Sequence, residues 1–61
     1  MKTDYTDAYL GRGLSKFKNQ DYRGSILDFT KAIELKPDSE EAYFNRGNSK
    51  AVLQDYSGSI L

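Results

Sequence analysis

The chain has 61 residues, with nine basic and nine acidic side chains, and neither cysteine nor histidine. A chain of this length is one small domain at most and buries only about 60% of its unfolded surface. Disulfides and thiolate or imidazole metal sites are excluded, so stability must come from packing. The charge balance argues against a dedicated nucleic-acid or anionic-membrane surface. No apolar run approaches the ~20 residues of a membrane span, and MKTDYTDAY lacks the apolar core of a signal peptide. A soluble, cytoplasmic protein is the default expectation.

Asp4, with Asp7 three residues on, sits ahead of a helical pattern and supplies oxygen for orphan N–H groups. The first helix is expected from Tyr5 to about Asn19, with Leu10, Leu14 and Phe17 at i, i+4 and i+7. The polar run Lys18-Asn19-Gln20-Asp21 makes a turn, and Asp21 is the expected N-cap of the next helix. Tyr22 to Leu35 carries Tyr22, Ser25, Ile26, Phe29, Ala32 and Ile33 on one stripe. Pro37, the only proline, stops it. Asp38 is read as the next cap, with Glu41 completing a capping-box-like pair. The third helix is expected from about Ser39 to Leu53. Gln54-Asp55 then repeats the turn, and Tyr56 opens a truncated fourth helix. Connections of two to four residues make consecutive helices antiparallel neighbours.

The chain says nearly the same thing twice. Asp4–Leu27 laid on Asp38–Leu61 gives 24 pairs at an offset of 34, of which 14 are identical. Arg12/Arg46, Gly13/Gly47, Ser15/Ser49, Lys16/Lys50 and Tyr22/Tyr56 are among them. Such a period signals a stack of two-helix units, here 4–37 and an incomplete 38–61. The ends differ mildly in charge: Met1–Gln20 has four basic and two acidic residues, Asp38–Leu61 two and four. That asymmetry would slightly favour head-to-tail stacking.

Period, two helices per unit and specific residues together resemble the tetratricopeptide (TPR) repeat, whose pattern is W-x2-L-G-x2-Y, then A-x3-F, then a closing proline. Tyr9 takes the Trp place, Gly13 the Gly, Phe29 the Phe and Pro37 the Pro. Ala32 takes a second small position, and Tyr43 and Gly47 repeat the opening pair. The resemblance covers the chain from Asp4 onward and implies an all-α fold: antiparallel hairpins of a right-handed α-solenoid, ending in a truncated helix. Gly13 and Gly47 are expected to let a facing helix approach closely. Arg12 and Arg46 stand where the family has Leu, and Lys16 and Lys50 where it has Tyr. Their stems are expected to cover core edges.

The chemistry is mostly negative. Asp4/Asp7 and Asp38/Glu41 could pass for paired carboxylates, but capping explains them. Gly11-Arg12-Gly13 follows no strand and precedes no Lys-Ser/Thr, so it is no phosphate loop. Neither catalysis nor a cofactor or metal is expected. The resemblance implies instead a module that binds a partner protein or peptide in the concave groove of its first helices. Carried over by position, that face is Asp7, Leu10, Leu14, Phe17 and Lys18, then Glu41, Phe44, Asn45, Asn48, Ala51 and Val52. Asn45 matches one element of the clamp with which part of the family grips acidic C-terminal peptides of chaperones. Leu10 and Leu14 stand where that clamp needs Lys and Asn. The competing expectation is structural: a scaffold piece or a fragment of a longer array, whose uncovered second unit is completed by another copy in a homo-oligomer.

Overall fold

A computed structural model describes residues 5–60, of which 56–60 are described by their backbone alone. Three helices make up the fold: α1 (Tyr5–Lys18), α2 (Tyr22–Leu35) and α3 (Glu40–Ile60). The expected cap at Asp4 lies outside the described residues, as do the side chains of Tyr56, Ser59 and Leu61.

Local chemistry sets the first two helices. At the end of α1 the chain turns through Gln20, at φ 67° the one non-glycine residue in the left-handed region among those described. Asp21 then caps α2, its carboxylate accepting the Gly24 N–H at 3.1 Å. A Cβ at Gly24 would meet that carboxylate, so a larger residue there would shift the Asp21 side chain. Phe17 and Tyr22 close the corner edge to face, with centroids 5.1 Å apart. The hairpin is antiparallel: Phe17 meets Tyr22, and Arg12 meets Asp28. After Leu35 the Lys36 N–H returns to the Ala32 carbonyl, and Pro37 lies in the turn that follows.

The core is small. Leu10, Phe29, Ala32 and Ala42 form it, with Tyr9 and Ile33 packed against its edge. Phe29 is fully buried, and its ring lies where a Cβ on Gly13 would be, 2.6 Å from that ideal position. The expected close approach at Gly13 is therefore real. Its repeat Gly47 has nothing within 4 Å, so the same glycine is an open position on α3.

Two helix boundaries differ from expectation. The α3 cap is Ser39, not Asp38: the Ser39 hydroxyl accepts the Ala42 N–H at 3.3 Å and is buried. And α3 runs through Gln54-Asp55 without a break, so no separate fourth helix forms among the described residues. Leu53 stands where the first unit has Asn19, a residue that suits turns, and favours continued helix. The turn at Gln20 costs a left-handed φ of roughly 1–2 kcal/mol. Packing Phe29 and Ala32 into the core offsets that cost.

The two glycines yield opposite expectations. Gly13→Ala forces the Phe29 ring to move and should cost about 1–3 kcal/mol. Gly47→Ala meets open space in a helix and should stabilise by about 0.5–1 kcal/mol. Urea unfolding followed by circular dichroism measures both, and equal signs would contradict the packing described.

Candidate protein-interaction face

Beneath any surface these helices present lies a buried carboxylate. Asp28 of α2 is only 4% exposed at its side chain. Arg12 of α1 grips it with two parallel bonds, Nε to Oδ2 at 2.9 Å and Nη2 to Oδ1 at 2.8 Å. Lys16, one turn on, stands 3.3 Å from Oδ2. The Arg12 hydrogen bonds hold the Asp28 pKa below its ordinary value, against the burial that pushes it up, and Lys16 adds to the lowering. The same hydrogen bond raises the guanidinium of Arg12 further above its own ordinary value. Arg12 also lies over the Tyr9 ring, 5.3 Å from its centroid. The sequence reading placed Arg12 and Lys16 as covers for the core edge and missed Asp28. The signal was present: two cations four residues apart, and one acid amid the apolar stripe of the next helix.

The joint between units is also polar. Ser25 Oγ and Ser49 Oγ are fully buried and 2.8 Å apart. Ser49 reaches the Asn45 carbonyl at 3.1 Å, and Ser25 the Tyr22 carbonyl at 2.7 Å. With one proton per hydroxyl, the relay runs toward one carbonyl at a time. Small residues here let α2 and α3 cross closely, and no described buried side-chain polar atom lacks a partner.

The residues assigned to the concave face divide into three groups. Leu10 is 8% exposed and belongs to the core, which corrects its place in the groove. Phe17 is half-buried against Tyr22, and Asn45 and Val52 are half-buried as well. Asp7, Leu14, Lys18, Glu41, Phe44, Asn48 and Ala51 are exposed. Leu14 and Phe44 carry the apolar part, 40% and 70% exposed. Two open depressions of ≈ 250 and ≈ 240 Å³ lie elsewhere, one lined by Gln20, Asp21, Tyr22, Arg23 and Leu53, the other by Tyr5, Ala8, Tyr9 and Arg12. Among the described residues there is no cluster suited to a metal ion, and no helix is long and apolar enough to cross a membrane.

Antiparallel helices, a 34-residue repeat that relates the sequence of α1 to that of α3, a glycine under an aromatic ring and a proline after the second helix define a helical-repeat protein. The family model described as TPR repeat matches residues 13–51, well over half of the chain, and the chain belongs to that family. No curated protein and no solved structure matches it. Repeats of this family are, as a rule, protein–protein interaction modules and not catalysts.

Acid should expose the role of Asp28. A carboxylate whose native pKa is depressed stabilises the fold fully above its ordinary value of 3.8, and that contribution fades as pH falls through the lower native value. Asp28→Asn should cost about 1–3 kcal/mol at pH 7. It should also flatten the fall of melting temperature below about pH 4. An unchanged acid limb would mean that other carboxylates govern it.

Proposed function

We propose that the chain acts as a protein-interaction module, and that the exposed face shared by α1 and α3 receives an extended or helical segment of a partner protein. The observation that carries this reading is the exposure of Leu14 on α1 and Phe44 on α3. Both are large apolar side chains left in solvent on neighbouring helices of a molecule whose own core is small. By i+3, i+4 and i+7 spacing, exposed Asp7 and Lys18 share the face of Leu14 on α1, and exposed Glu41 and Asn48 that of Phe44 on α3, so the face combines apolar anchors with polar groups of both signs. Such a face suits a segment with one or two apolar side chains flanked by mixed charge. It lacks the basic and amide pairs that would single out an acidic C-terminus.

Selection of a random peptide library on the folded chain, with Leu14→Asp and Phe44→Asp as parallel targets, tests the proposal. Both positions are exposed, so the variants should fold as the parent does. Selected peptides should bind the parent saturably and lose tenfold or more in affinity, about 1.4 kcal/mol, to each variant. Peptides that bind all three alike would remove this face from the account.

A further inference from the structure

The solvent side of α2 carries a row of side chains that the packing of the three helices does not use. Arg23, Leu27, Lys31 and Leu35 follow one another at four-residue spacing, and all four are exposed. Side chains so spaced form one ridge along a helix, here about 18 Å long at 1.5 Å per residue. α2 is the middle helix, and it buries Ser25, Phe29 and Ala32 where it packs between α1 and α3. The ridge therefore faces outward with both neighbouring helices in place.

Folding accounts for none of the four. Leu27 is 71% exposed and Leu35 48%, so both leave most or much of an apolar side chain in water. Arg23 lies in the first turn of α2, where the helix dipole disfavours a cation, and no acidic residue shares that turn. No described carboxylate comes within ion-pair distance of it. Lys31 reaches Glu34 at 3.5 Å, a pairing of two exposed side chains that is worth little in water. We infer that this ridge is a docking surface for an amphipathic helix of a partner protein that carries carboxylates beside its apolar residues. Charge selects this occupant. Cation and leucine alternate along the ridge, so a purely apolar partner would strip water from Arg23 and Lys31 without replacing it. A purely acidic one would leave both leucines wet. Burial of Leu27 and Leu35 supplies the attraction, while the two cations set the register and reject basic segments. The ridge is on a different helix from Leu14 and Phe44, so it is a second surface and does not depend on the first.

The probe is a displayed library of helical peptides about four turns long. Leucine is fixed on one stripe, and the flanking positions are randomised among Asp, Glu, Lys, Arg and Ser. The library is selected on the full 61-residue chain, and affinities are then read by fluorescence anisotropy. Selected peptides should be rich in Asp and Glu, bind saturably, and lose tenfold or more in affinity to Leu27→Glu. Arg23→Glu should weaken them severalfold although an acid suits the first turn of α2 and raises the melting temperature of the chain. Loss of binding with a gain in stability separates a recognition role from a structural one. Leu14→Asp and Phe44→Asp should leave these affinities unchanged, which keeps this surface distinct from the face of α1 and α3. A library without a saturable binder, or one whose binders show no acidic bias, overturns the inference. So do binders that Leu14→Asp weakens and Leu27→Glu does not. A parent chain that sediments as a dimer, and that Leu27→Glu converts to monomer, would assign the ridge to a second copy and overturn it. Co-sedimentation with phosphatidylglycerol vesicles that Leu27→Glu abolishes would assign it to a membrane surface, with the same result.

Discussion

Phe29 resting on Gly13 is the contact that makes three short helices a structure. A core of four buried apolar residues leaves little room for compensation, and the ring is its largest member. A ring of this size can be buried to zero exposure between two helices only if the facing helix offers no side chain at that level. Everything next to it follows. The close crossing brings Arg12 and Lys16 within reach of Asp28, and it draws Ala32 and Leu10 into the same cluster.

The buried charge complements this packing without replacing it. A carboxylate removed from water is costly unless each oxygen is met, and Asp28 is met by two bonds from a guanidinium and by an ammonium. Because Arg12 remains largely in solvent, the pair avoids the full penalty of burying both ions. What it adds is register. A slip of one residue would separate the fork from the carboxylate as well as the ring from the glycine. The Ser25–Ser49 contact does the same for the second joint, because hydroxyl donors and acceptors align at only one offset.

The repeated residues on α3 meet other partners, Arg46 the Thr30 hydroxyl in place of a carboxylate, which gives the two halves of the molecule different characters. In the first half, side chains of both helices satisfy one another. In the second, α3 leaves Tyr43, Phe44 and Lys50 exposed, while Arg46 is half-buried and donates to the Thr30 hydroxyl of α2. In a repeat protein each unit contacts only its neighbours, which leaves its other faces to solvent.

Much of the molecule was legible in its residues alone. The 34-residue period, the all-α hairpins, the Asp21 cap, the stop at Pro37 and the close approach at Gly13 all rest on local chemistry or on repetition. Of the residues assigned to the concave face, Leu14 and Phe44 are exposed, but Leu10 on the same stripe lies in the core, because the stripe alone does not say which of its members the neighbouring helices cover. Asp28 was invisible as a buried partner, since a charged residue in an apolar stripe reads as polar until the facing helix supplies its cations. The unbroken α3 was the largest departure. Sequence repetition alone put a turn at Gln54-Asp55, where the helix runs on, whereas at Gln20 the chain turns through a left-handed residue and sends Phe29 and Ala32 into the core. The sequence by itself determined the repeat and its helices. Only the tertiary structure decided what each of two identical patches meets, and whether a helix folds back or runs on, because both depend on what lies opposite.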